Sequence, residues 1–245
     1  MLGAFLRGST VDPHTTLPPN VCGQPPAAIS APDMVDDWRL DPQHPVGYLA
    51  YPPLATARHE QGQPVVAVCI MPDGWVGDAV VKQTSGSDQL DAAALISAGN
   101  WHFLPAAGGI NGVPEWADIR LNFVMPDVPA AALPVTAPAA QDLNYASGAK
   151  TAPVVDPAFP HRASYPLLAW RHQEEGTVTL SYEIMDDGWP SAVKIVHSSG
   201  SRQLDAMAIV AVGYWHYFPA TKAGTKGQMH WLAKVNFRLA NSGIR

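Results

Sequence analysis

Charge is sparse in this chain of 245 residues: 15 Lys and Arg stand against 21 Asp and Glu, a net charge of -6. No basic cluster is visible, which argues against nucleic acid as a partner, because a phosphate backbone is held by clustered cations. Long hydrophobic runs are missing too. No stretch approaches the roughly 18 uninterrupted apolar residues that cross a bilayer as a helix, so no transmembrane segment is expected. The opening MLGAFLRGSTVDPHTT has a short apolar run cut off by Arg7 and no small-residue cleavage site behind it, and it is not expected to act as a signal peptide. Cysteine is nearly absent, with Cys22 and Cys69 alone. His59, His102, His172, His197, His216 and His230 include no pair at the compact spacing of a zinc ligand set, so no metal is expected. Paired acid and base groups beside a nucleophile are also lacking. HSSGS has no Gly-x-Ser-x-Gly elbow, Asp73 and Asp187 read as turn residues, and Asp91 and Asp205 read as helix-start residues. The chain is therefore expected to be non-catalytic and to use no cofactor.

What the chain does have is an internal copy. YPPLATARHEQGQPVVAVCIMPDGWV at Tyr51 aligns with YPLLAWRHQEEGTVTLSYEIMDDGWP at Tyr165, an offset of 114 residues. The same offset relates SGSDQLDAAALISAGNWHFLPA at Ser85 to SGSRQLDAMAIVAVGYWHYFPA at Ser199, and Asn122-Phe123 to Asn236-Phe237. This is a tandem duplication. Between the copies runs a segment rich in Pro and Ala, a composition that disfavours regular structure. The expected organisation is a Pro-rich N-terminal segment over 1–47, a first domain over 48–125, a linker over 126–161 and a second domain over 162–245.

Each copy predicts the same order of elements. A short helix follows Tyr-Pro, with Pro tolerated in the first turn. Two strands then flank Asp-Gly, a hairpin signal resting on the positive φ that Gly accepts. In the second copy Val178, Leu180, Tyr182 and Ile184 alternate with Thr177, Thr179, Ser181 and Glu183, the pattern of a strand with one wet face. A helix comes next, with Ser87 or Ser201 as N-cap and Gly99 or Gly213 at its exit. Leu204, Ala208, Ala211 and Trp215 share one face of it. A last strand carries Ile119, Leu121 and Phe123, or Ala233, Val235 and Phe237.

Taken together, Tyr-Pro with Ala and Arg after it, Gly-x-Val before a strand, Asp-Gly in the hairpin, Ser-Gly then Leu-Asp-x-Ala opening the helix, and Trp-x-Phe/Tyr-x-Pro-Ala closing it make the chain resemble the TonB C-terminal domain family, over about 48–125 and 162–240. The resemblance implies an α+β fold of two tandem domains, each a small antiparallel sheet backed by helices. It also implies a periplasmic address and a role in binding. Members of the family meet outer-membrane transporters by strand addition, in which an extended segment, the TonB box, pairs with an exposed sheet edge. By resemblance the edge would be 115–123 or 229–237, which makes Trp116, Asp118, Arg120, Asn122, His230, Lys234 and Asn236 the candidate partner-binding residues. Trp170 joins them, because Trp116 and Trp170 lack an aromatic equivalent in the other copy.

Cys69 occupies the position of Glu183 on the wet face of the first long strand, yet in the first copy that face reads Val65, Ala67 and Cys69. Something must cover it. In the oxidising periplasm that the resemblance implies, a Cys22–Cys69 disulfide strapping the N-terminal segment across this face is expected; two unpaired thiols, or a lipid-anchored Cys22, are the alternatives. The expected partner is a protein of the periplasm or outer membrane, with self-association also open. An inhibitor or immunity-type protein using the same fold, and a structural envelope protein, are the rival readings. Duplication has two explanations: the copies shield each other's sheet edges, or two linked weak sites gain avidity.

Overall fold

The structure, a computed structural model, describes residues 16–18, 20–27, 39–44, 51–104, 113–125, 153–159, 163–218, 221–222, 225–226 and 229–239. The first repeat contains β1 (Arg39–Leu40), α1 (Pro53–Ala57), β2 (Val65–Ile70), β3 (Val76–Gln83), α2 (Asp88–Ala98), β4 (Phe103–Leu104) and β5 (Glu115–Arg120). The second contains β6 (Val154–Val155), α3 (Leu167–Arg171), β7 (Gly176–Ile184), β8 (Pro190–His197), α4 (Arg202–Val212), β9 (Tyr217–Phe218), β10 (Thr221–Lys222), β11 (Thr225–Lys226) and β12 (Met229–Phe237). The fold is α+β.

Local chemistry sets these elements. Ser87 and Ser201 cap their helices, each side chain accepting the backbone N–H three residues on, from Leu90 or Leu204. Asp91 then accepts from both the backbone N–H (2.7 Å) and the hydroxyl (2.6 Å) of Ser85, and Asp205 repeats this with Ser199. These aspartates tie the Ser-Gly turn to the first helical turn, where the helix dipole also favours a carboxylate. The β2–β3 hairpin is longer than a two-residue turn. Gly74 donates to the Met71 carbonyl at φ +88°, and a Cβ there would lie 2.3 Å from the Phe103 carbonyl, so glycine is required by both conformation and space.

In the first repeat the strands pair in the order β3–β2–β5, and in the second in the order β8–β7–β12, all antiparallel. Val66, Val68 and Ile70 face α2, with Leu90, Ala94 and Phe123 in the same core. In the second repeat Val178, Leu180, Tyr182 and Ile184 meet Leu204, Ala208, Ala211 and Trp215, so the residues that alternate and step in the sequence do make one core.

The repeats pack through helices, not sheet against sheet. Helix α2 lies on α4, and Leu168 and Ala206 of the second repeat belong to the core of the first. Gln89 donates to the Ile209 carbonyl at 2.9 Å across this interface. Gly99 and Gly213 close the two helices with φ -65° and -63°, ordinary helical values, so glycine is not there for backbone freedom. A Cβ on Gly213 would lie 2.1 Å from Gln89 Oε1, and one on Gly99 would lie 3.3 Å from Leu168 Cβ. Small residues let the opposite repeat approach.

Residues 153–159, which composition assigns to the linker, are instead built into the second repeat. Val154–Val155 pairs with Tyr217–Phe218, and Arg39–Leu40 pairs in the same way with Phe103–Leu104. The physical reason is local: Leu40-Asp41-Pro42 and Val155-Asp156-Pro157 each offer an extended dipeptide before an Asp-initiated turn, and proline elsewhere in the segment masks that signal.

Candidate functional site

In each sheet two strands lie at the edges, β3 and β5 in the first repeat and β8 and β12 in the second. Strands β3 and β8 begin with backbone carbonyls that bond to the opposite repeat. Arg171 Nη1 donates to the Val76 carbonyl (2.9 Å), His172 bonds the Gly77 carbonyl (2.7 Å), and in return Arg58 donates to the Pro190 carbonyl (2.8 Å). Val76 and Pro190 are equivalent positions that open β3 and β8. Arg171 is 1% exposed, and burial pushes its guanidinium below the ordinary arginine range, opposed by Asp73 at 3.8 Å. A buried cation is held here because its fork reaches a carbonyl and a carboxylate at once.

The other edge strands are β5 and β12, and they differ. Cys22 and Cys69 are joined by a disulfide, which places the N-terminal segment on the outer face of the first sheet. Val65, Ala67 and Cys69 on that face are all 0% exposed. Trp116, paired with Cys69 across the ladder, donates its indole N–H to the Cys22 carbonyl at 2.9 Å. Asp118, opposite Ala67, is buried and bonded to Lys82 at 3.0 Å. Two of the candidate residues in the first copy are thus engaged by their own chain. Arg120 and Asn122 are exposed, Asn122 accepting from Gln63 at 3.3 Å.

Strand β12 is nine residues long and bonded along its whole length to β7, from Met229 opposite Ile184 to Phe237 opposite Gly176. Its core-facing side carries Val235 and Phe237, and its other side exposes His230, Leu232, Lys234 and Asn236, with Leu232 58% exposed. Among the described residues no strand pairs with the far edge of β12. The structure therefore brings His230, Lys234 and Asn236 together on one open face. Trp170 stands apart from them on α3, which packs on α4 and β3.

At the start of each repeat lies a corner that the sequence reading missed. Asp41 Oδ2 is 3.0 Å from His102 Nδ1, while His102 Nε2 is 3.0 Å from the Asp73 carbonyl. Asp156, His216 and the Asp187 carbonyl repeat this at 2.9 Å and 2.9 Å. The carboxylate thereby ties the extended segment before the repeat to the strand after the helix. In the first repeat His44 Nδ1 also meets Asp41 Oδ2 at 2.8 Å, and that hydrogen bond, with one from the Gln43 backbone N–H, holds the Asp41 carboxyl below the usual aspartate range. The signal was present in LDPQHP against VDPAFP, Asp41 to Asp156, at an offset of 115 rather than 114. A search for compact histidine spacing passes over a carboxylate 61 residues away.

Protein tonB2 of Pseudomonas aeruginosa is 40% identical to this chain over 76 residues, which are 31% of this chain and 28% of that protein. The chain thus spans well under half the length of that relative. The C-terminal domain of Pseudomonas aeruginosa TonB, solved by solution NMR, is 20% identical, with a TM-score of 0.31 over 40% of this chain and 92% of that one. Residues 47–125 and again 161–239 match the family of the Gram-negative bacterial TonB protein C-terminal region, the two matches together cover more than half of the sequence, and the chain belongs to that family.

Proposed function

We propose that this chain is a non-catalytic protein-binding module of the Gram-negative periplasm that takes an extended segment of an envelope protein, such as a TonB-dependent transporter, onto the open edge of β12. The observation that carries this reading is the length and openness of that strand: nine residues paired to β7 on one side. An antiparallel edge leaves every second residue's N–H and C=O pointing outward, so a nine-residue edge offers roughly four such pairs to an incoming strand. Side chains on the open face then add selectivity, with His230 and Lys234 favouring an acidic or polar segment and Leu232 an apolar contact.

Strand β5 is the weaker of the two edges. It is six residues long, and Trp116 and Asp118 are held within the chain. The two copies join through the α2–α4 interface, and Arg171, His172 and Arg58 bond the carbonyls that open β3 and β8 across it.

The test is an amide NMR titration of the labelled chain with an extended peptide of the TonB-box type. Shifts should concentrate in Met229–Phe237 and in the neighbouring β7 residues. Shifts confined to 115–120, or none at millimolar peptide, would refute the assignment to β12.

A further inference from the structure

We infer that Asp41, His44 and His102 form a binding site for a divalent transition ion of the Zn2+ type, present in the first repeat and missing from the second. One donor atom from each residue lies within 4.8 Å of the others. Both imidazoles turn Nδ1 toward the same oxygen, Asp41 Oδ2, at 2.8 Å and 3.0 Å. Asp41 Oδ1 is occupied by the Gln43 backbone N–H at 2.8 Å, which fixes the carboxylate so that Oδ2 faces the two rings.

The outer shell is already in place. His102 Nε2 lies 3.0 Å from the Asp73 carbonyl, an acceptor, so Nε2–H keeps that bond while a bound ion would replace the proton that Nδ1 shares with Asp41 Oδ2 at 3.0 Å. Metal-bound histidines are oriented in just this way, with the far nitrogen donating to a carbonyl or carboxylate. Two imidazole nitrogens and one carboxylate oxygen are a donor set for borderline ions such as Zn2+. Donors about 2.0–2.1 Å from a tetrahedral ion stand roughly 3.3 Å apart, so each ring nitrogen needs to draw away from Asp41 Oδ2 by about 0.4 Å, while the two nitrogens lie within 4.8 Å of each other. His44, 46% exposed, is the ring free to make that movement, and its open side leaves a fourth position to solvent or to a ligand from a partner.

The second repeat supplies the contrast. Asp156 and His216 reproduce the Asp41–His102 pair, but the seat of His44 is taken by Phe159. The rings sit alike: His44 is 5.2 Å from Trp75 and 4.6 Å from His102, and Phe159 is 5.3 Å from Trp189 and 5.0 Å from His216. Packing alone is served by phenylalanine. The imidazole adds a third donor at a place where the fold asks only for an aromatic ring.

The experiment uses the full, oxidised, untagged chain stripped with chelator, titrated with Zn2+ by calorimetry and with Co2+ by visible absorption. One equivalent is expected, and His44→Phe, which installs the ring already accepted in the second repeat, should weaken Zn2+ by about 100-fold, since even loss of an outer-shell partner costs 10–100-fold. A long-range 1H–15N histidine spectrum of the unmodified chain needs no variant: the Nδ1 signals of His44 and His102 should move with Zn2+ and those of His216 should not. Equal affinity in His44→Phe, or ring shifts at other histidines alone, would overturn the assignment.

Discussion

Reducing the Cys22–Cys69 bond is the perturbation whose size the structure fixes best. The bond joins residues separated by 47 positions. On the chain-entropy account, a loop of that length constrains the unfolded chain by about 4 kcal/mol at 25 °C. That figure is an upper bound, because the reduced native chain also regains freedom if the N-terminal segment lifts from the sheet. Lifting has its own cost. It uncovers Ala67 and Cys69, both fully buried, and removes the carbonyl partner of the Trp116 indole, a hydrogen bond worth about 1 kcal/mol. The net expectation is a loss of about 2–4 kcal/mol, read as a lower urea midpoint for Cys22→Ala or for the reduced chain. Because α2 packs on α4, with Ala206 in the first core and Ile96 and Ile209 against both cores, the two repeats should melt together at the lower midpoint, by far-UV circular dichroism and by tryptophan fluorescence alike. Hydrogen exchange should accelerate first in β2 and at Trp116. A loss of less than about 0.5 kcal/mol in unfolding free energy, or alkylation of either thiol in the unreduced protein, would refute the strap.

Three further outcomes follow from the same contacts. Tyr182 and Tyr217 bond to each other in the second core, and burial pushes both phenols above the ordinary tyrosine range, whereas Val68 and Phe103 hold those places in the first repeat. With folded values raised, their stabilisation is complete below the unfolded value of about 10 and is lost as pH rises above it; tyrosinate absorbance at 295 nm should appear together with loss of near-UV circular dichroism, and Tyr182→Phe should leave the second core less sensitive to alkali. Gly213→Ala should destabilise the chain by about 1–2 kcal/mol in urea by displacing Gln89 from the Ile209 carbonyl, whereas Gly86→Ala, where a Cβ meets nothing within 4 Å, should show only the backbone cost of its φ of +91° and leave exchange at the α2–α4 interface unchanged. Peptide affinity should stay within about twofold on disulfide reduction if β12 is the edge used, because the strap lies on the other sheet; a marked gain on reduction, as Trp116 is released, would shift the site to β5.

Much of this protein was determined by the sequence alone. The offset of 114 residues, the period-two run over β7, the serine caps and the Asp-Gly hairpins are all short-range signals, set by backbone conformation and by which face of an element is apolar. The apolar face of β2 even announced that something covers it, since Val65, Ala67 and Cys69 stand where the second copy has polar residues. Tertiary structure decided the rest, because it turns on which distant groups are brought within bonding distance. Gly99 and Gly213 read as helix exits, but their role is the close approach of the opposite repeat, which no local rule encodes. Arg171, in a short helix, is a buried cation on the Val76 carbonyl 95 residues earlier, a contact that no local pattern encodes. Trp116 and Asp118 read as partner contacts and are engaged within the chain, by a segment 94 residues earlier for Trp116 and by Lys82 for Asp118. Asp41 and His102, far apart in sequence, meet because β1 pairs with β4, and only that pairing turns His44 from one histidine among nine into a member of a three-donor corner.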